Sequence, residues 1–135
     1  MKYLALLLVL TGLSGAASGQ ANPQVLLHLQ TGDTLVYKAL VNQIVNLKKE
    51  IPQAAVKIVC HGPGMGFLLK SQSEYAERIH HARLREVAFI GCEFTMKQRQ
   101  IKPEQLVPYA TTVPYGLVEI VKLQQAGWLY IKTGF

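Results

Sequence analysis

The chain has 135 residues, half of them apolar, with a formal net charge of +6 and two cysteines. That length suits one domain with one modest core and leaves no room for a second. The lysines and arginines are scattered, so the charge reads as solubility with a weak preference for anionic surfaces, and nucleic acid is not an expected partner.

The first 21 residues form a separate segment. Met1-Lys2-Tyr3 is a short basic start, residues 4–10 (LALLLVL) are apolar, and residues 11–21 are small and polar. That order is the layout of a secretory signal peptide, with cleavage expected to leave a mature N-terminus between residues 19 and 23. Gly12, Gly15 and Gly19 argue against a buried N-terminal helix. The apolar run is shorter than the roughly 20 residues of a membrane span, so no stable membrane insertion is expected. No cysteine follows that could carry a lipid. Residues 22–135 are thus expected to be one exported, periplasmic domain.

VLLHLQ (25–30) reads as a strand. Asp33 or Thr34 caps a helix over 34–49, whose apolar positions Leu35, Val36, Ala39, Leu40, Ile44 and Leu47 have helical spacing. Pro52 stops it. VKIVC (56–60) is a second strand, followed by the glycine-rich stretch HGPGMG (61–66). Residues 73–86 form an amphipathic helix capped by Ser73. VAFIGC (87–92) is a third strand, and a helical turn covers about 95–100. A short fourth strand spans 111–113. Pro114 starts a helix running to Ala126, closed by Gly127, and WLYIK (128–132) is the last strand. Strands alternating with helices, and apolar on both faces, predict an α/β fold: a three-layer α/β/α sandwich around a mainly parallel five-stranded sheet.

In such sheets ligands gather beyond the carboxyl ends of the strands. The loops there carry Thr31 and Asp33, His61 with Gly62 and Gly64, Cys92 with Thr95, and the segment 113–115. The glycine stretch is a poor phosphate cradle. It reads G-x-G-x-G after the second strand, lacks a following Lys-Ser/Thr, and loses one backbone N–H to Pro63. No metal site is expected. His80 and His81 are neighbours on a helix and point about 100° apart, and His28 in an apolar strand reads as a satisfied core histidine.

A thiol site is the remaining chemistry. Cys92 ends a strand and precedes a helical turn, whose dipole favours the thiolate; Glu93 opposes this, and a cationic His61 would offset Glu93. Chemistry alone leaves three states open. Cys92 is a reactive thiol, an inert buried thiol, or the partner of Cys60 in a disulfide, which export would permit.

The segments VKIVCHGPGMGFLL, VAFIGCEFTM and VPYGLVEIVKLQQAGWLYIK resemble the DsrE/DsrF-like family, whose small α/β domains are linked with sulfur oxidation and sulfur relay. The resemblance covers nearly all of the chain after the leader. It implies a homo-oligomer, a trimer or hexamer, in which a cysteine near the end of the third strand carries a persulfide without metal or organic cofactor. Cys92 matches that cysteine. His61, Gly62, Pro63 and Gly64 match the family's turn, Thr95 its post-cysteine threonine, and Gly116 and Glu119 its last helix. Cys60 departs from the pattern, which places a small apolar residue before His-Gly-Pro-Gly. The partner implied is a protein that donates or accepts thiol-bound sulfur. The alternative is a non-enzymatic oligomer of the same fold that binds a small ligand or a partner loop.

Overall fold

The computed structural model describes residues 22–72, 74–82 and 86–134. The expected leader, the Ser73 cap and part of the 73–86 helix lie outside the described residues.

Five strands form one sheet in the order β4-β3-β2-β1-β5. They are β1 (Gln24–Leu29), β2 (Ala55–Cys60), β3 (Val87–Cys92), β4 (Ala110–Val113) and β5 (Leu129–Lys132), and every pairing is parallel. The helices are α1 (Thr34–Glu50), α2 (Glu74–His81), α3 (Glu93–Gln98) and α4 (Gly116–Gln125).

The chain steps from β1 to β4 in one direction, then α4 carries it back across the sheet to β5, beyond β1. Right-handed crossovers taken in opposite directions put their helices on opposite faces. The two packed clusters agree. Val25, Leu27, Leu29, Ile58 and Cys60 pack with residues of α1 and α2 on one face. Leu26, Val59 and Ile90 pack with Ile120 and Leu123 of α4 on the other. The expected three-layer sandwich is what forms.

Local chemistry explains the element ends. The Asp33 carboxylate accepts the Leu35 amide at 2.8 Å and caps α1. At the other end Lys48 folds back, its Nζ donating to the carbonyls of Pro52 at 2.7 Å and Ala54 at 2.6 Å. That satisfies carbonyls at the start of β2 and keeps a buried ammonium solvated by protein. Lys57 lies within β2, and its ammonium sits 4.8 Å from the Trp128 ring centre. Gly127, at φ +89, ends α4.

The glycine stretch is more than a turn. Residues Gly62–Leu68 form a 3-10 helix that runs on past the glycines, and Phe67 and Leu68 are fully buried within it. Phe67 meets Tyr37 of α1 edge to face, with centroids 5.1 Å apart. The segment plugs the sheet's carboxyl end on the α1 side. Gly64 makes this close approach feasible, since a Cβ there would overlap the Leu29 carbonyl.

Candidate functional site

The pleat of the sheet decides what can meet. Side chains alternate between faces along a strand, and residues in parallel register share a face. Val59 pairs with His28, and Leu26 with Tyr130. Leu26 and Val59 lie on the α4 face. His28 and Tyr130 therefore lie there too. His61 continues the parity of Val59, and Cys92 that of Ile90. Cys92 stands at the end of the sheet, so it also packs with the α1-face core, its amide donating to Met65 Sδ at 3.4 Å, while its sulfur faces α4. Four chemically active residues from four segments thus share one face at the carboxyl end of the sheet.

Cys60 lies on the other face. It pairs with Gly91, one residue short of Cys92. Both thiols are free and buried, so the bridge between Cys60 and Cys92 considered from the sequence does not form here. The alternation of β3 separates the two side chains although their strands are adjacent. Full burial pushes the Cys60 thiol up, well above an ordinary cysteine.

Cys92 behaves oppositely. α3 begins two residues earlier than the sequence suggested, which makes Cys92 its N-cap residue. Its sulfur also faces the start of α4, where the Gly116 amide donates to Sγ at 3.2 Å. Burial alone would raise the thiol pKa, but the amides of Gly116, Thr95 and Phe94 and the Thr95 hydroxyl outweigh it, and the net shift is downward. Gly116 contributes most among these donors. The Phe94 amide is already engaged by the Pro114 carbonyl at 3.1 Å and contributes least. Thr95 is buried; its hydroxyl oxygen accepts the Gly62 amide at 3.0 Å, which leaves its own proton to face the sulfur. Arg99 donates to the Gly62 carbonyl at 3.0 Å and ties α3 to the glycine stretch from the other side.

Glu93, the expected opponent of the thiolate, accepts a hydrogen bond from the Thr112 hydroxyl at 2.8 Å. His61 is held below its ordinary pKa by burial, so near neutral pH it is an uncharged imidazole. The stabilisation of the thiolate comes from backbone amides and the Thr95 hydroxyl. His61 is nonetheless close. A Cβ built on Gly116 would lie 3.3 Å from the His61 Cβ, 3.2 Å from the Cys92 Cβ and 3.6 Å from Sγ. Gly116 is the shared wall between thiol and imidazole, and any side chain there requires one of these neighbours or α4 to give by a few tenths of an ångström.

His61 Nε2 meets His28 Nε2 at 2.6 Å, and His28 Nδ1 meets the Tyr130 hydroxyl at 2.7 Å. His28 is a satisfied core histidine, as its place in an apolar strand suggested, but its partners belong to the site. Burial, then His61, then Lys132 lower its pKa to about 4. Sequence reasoning gave His28 and Tyr130 no functional role. Their contact depends on the β1–β5 register, for which the sequence carries no local signal. Gly116 was matched only as a motif residue. A glycine in the first turn of a helix, where most residues would do better, was the available clue.

Thr31 and Asp33 lie elsewhere. The Thr31 hydroxyl accepts the Asp33 amide at 3.2 Å. With Gln30, Lys132 and Thr133 they border a polar cavity of about 270 Å³ beyond β1 and β5. A larger, mostly apolar groove of about 480 Å³ runs along α3, lined by Glu93, Met96, Lys97, Ile101 and Pro103 among others. Among the described residues no three His, Cys, Asp or Glu side chains gather to hold a metal ion. No described helix is long and apolar enough to cross a membrane.

A family model described as the DsrE/DsrF-like family matches residues 7–133. A protein of unknown function from Methanobacterium thermoautotrophicum has a similar solved structure, at TM-score 0.75 and 23% identity, covering 82% of this chain and 98% of that one. At that identity the likeness speaks for the fold. No curated protein matches the chain.

Proposed function

Because the chain belongs to the DsrE/DsrF-like family, one of sulfur-relay type, we propose that it carries sulfane sulfur as a persulfide on Cys92. The observation that carries this reading is the Gly116 amide at 3.2 Å from the Cys92 sulfur. A buried thiol without such donors is inert, whereas one with a lowered pKa holds more of the nucleophilic thiolate at any given pH.

In the loading step the Cys92 thiolate attacks the outer sulfur of a donor persulfide, R–S–SH. The new S–S bond gives Cys92–S–SH, and the donor leaves as the thiolate R–S⁻. In unloading, an acceptor thiolate attacks the outer sulfur of Cys92–S–SH, and the Cys92 thiolate returns to its amide donors. His61 sits beside the sulfur as the base for the acceptor thiol. The apolar groove along α3 begins at Glu93, next in sequence to Cys92, and suits a loop of a partner protein that donates or accepts the sulfur.

Two further features belong to this reading. Export through the leader delivers the domain to the periplasm, and the intact mass of the exported protein tests this; a chain retaining Met1 refutes it. A homo-oligomer forms through the outer face of α4, where Leu117, Val118 and Val121 are exposed beside Phe94 and Tyr115.

The carrier is tested by mass spectrometry of the native protein treated with inorganic polysulfide, before and after reductant. A gain of one sulfur on Cys92, removed by reductant and lost in Cys92→Ser, is expected. A wild-type protein that takes up no sulfur overturns the reading. Binding of a small ligand without covalent change is the second reading, favoured by the polar cavity at Thr31 and Asp33.

A further inference from the structure

We propose that His28 and Tyr130 form a proton relay that connects His61, beside Cys92, to solvent at the β5 edge, so that the acceptor thiol is deprotonated through a three-residue chain. This rests on the carrier reading above.

The geometry is that of a hydrogen-bonded wire. The two imidazole planes are 17° from parallel with centroids 4.7 Å apart. With their Nε2 atoms at 2.6 Å, that spacing fits rings meeting edge to edge, each nitrogen lying near the plane of the other ring, the direction in which a proton passes. Tyr130 continues the line from His28 Nδ1 at 2.7 Å. His28 is 7% exposed, while Tyr130 is 39% exposed, so the chain runs from the buried interior to water.

Proton counting gives the chain two forms. A neutral imidazole has one N–H and one acceptor nitrogen. If the Tyr130 hydroxyl donates to His28 Nδ1, His28 Nε2 donates to His61 Nε2, and His61 Nδ1 carries a hydrogen. If His28 Nδ1 donates to Tyr130, His61 Nε2 donates to His28, and His61 Nδ1 is a bare base. His61 Nδ1 makes no hydrogen bond to any described residue, so the second form leaves it a free base, on a residue whose Cβ borders Gly116 beside Cys92. The lowered pKa values of both histidines keep the pair neutral near pH 7 and both forms accessible.

The step balances as follows. The acceptor thiol gives its proton to His61 Nδ1. The His61 Nε2 proton moves to His28 Nε2, the His28 Nδ1 proton moves to Tyr130, and the Tyr130 proton leaves to water. The acceptor thiolate bonds to the outer sulfur of Cys92–S–SH, the Cys92 S–S bond breaks, and Cys92 leaves as a thiolate. Products are R–S–SH, the Cys92 thiolate and one proton in solvent. The groups facing this chain are Lys132 of β5 toward His28, and Cys92 and Arg99, the latter through Gly62, around His61.

The test compares two rates in wild type, His28→Gln, His28→Phe and Tyr130→Phe. The first is sulfur transfer from polysulfide-loaded protein to free cysteine, followed against pH. The second is alkylation of unloaded Cys92 by iodoacetamide, which needs the thiolate but removes no proton from an incoming thiol. Both His28 variants are expected to slow transfer by about tenfold or more, and Tyr130→Phe by a smaller factor. Alkylation should stay within about twofold of wild type. Tyr130→Phe keeps the ring and its packing, so it reports even if a His28 variant folds poorly. Loading with unchanged transfer in the three variants overturns the relay and leaves the carrier standing. Transfer and alkylation slowed in parallel mean a structural role and also overturn the relay. A wild type that never loads overturns both.

Discussion

The amide of Gly116 and the sulfur of Cys92 are 24 residues apart in sequence and 3.2 Å apart in space. One element supplies the nucleophile and another, arriving from the far side of β4, supplies the first amide of a ten-residue helix to hold its charge.

Gly116→Ala puts a methyl group 3.2 Å from the Cys92 Cβ and 3.3 Å from that of His61. Neither neighbour is the loose end of a long side chain, so α4 or the loops bearing Cys92 and His61 must give by a few tenths of an ångström, which parts the amide from the sulfur. The pH midpoint of Cys92 alkylation should rise toward that of an ordinary cysteine. Thermal or denaturant unfolding should show a loss of about 1–3 kcal/mol. An unchanged alkylation profile would remove Gly116 from the account.

Cys60 and Cys92 should both count as free thiols in the native protein, with very different rates. Cys92 alkylates when folded, and Cys60 only after denaturation, because it is fully buried with its pKa raised. Cys60→Ala should leave the Cys92 rate unchanged. Two thiols that appear only after reductant would mean a disulfide and a different strand geometry.

His28 predicts acid sensitivity. Its pKa falls from 6.5 to about 4 on folding, so the unfolded chain binds the proton more tightly. The stability linked to this group is full above pH 6.5 and is lost as pH falls toward 4. The displacement corresponds to at most about 3 kcal/mol at neutral pH, reduced as far as solvent screens the ring. Melting temperature should drop over that window more steeply in wild type than in His28→Gln. Parallel curves would contradict the burial of His28 as a neutral ring.

The exposed side chains of α4 predict assembly. Leu117 is 63% exposed and Val121 49%, and at i, i+4 they share one helix face. Light scattering should report a trimer or hexamer for the wild type and a smaller species for Val121→Asp with its secondary structure retained. A wild-type monomer at micromolar concentration would refute the interface.

The layers were legible because their signals are local. Val25, Leu27, Ile58, Phe89 and Ile90 mark strands buried on both faces, and the spacing of Val36, Leu40 and Ile44 marks α1. The Cys92 loop was legible too, since a cysteine at a strand end needs only the strand to be placed. What escaped was set by packing at long range. The burial of Phe67 depends on Tyr37, and the start of α3 at Glu93 depends in part on the Phe94 amide finding Pro114. His28 looked like filler because its partners are 33 and 102 residues away. The helical turn after Cys92 favours the thiolate as the sequence suggested, through its Thr95 and Phe94 amides. The Gly116 amide was missed because it is adjacent only in the folded sheet, and His61, adjacent in loop order, is not the cation expected.

The placement of β5 beside β1 also has a consequence for synthesis. The first strand of the sheet keeps one side unpaired until the last described strand has been made, because β1 pairs only with β2 and β5. As the chain emerges N-terminus first, β1 to β4 can align, and Cys92 can reach its loop, while the edge of β1 still lies open to strand exchange with other chains. Tyr130 arrives with the strand that closes this edge. The hydroxyl that completes the His28 contact is thus delivered by the same event that ends the nascent domain's exposure to aggregation, so a chain truncated before Leu129 would lose its protection and the end of its histidine chain together.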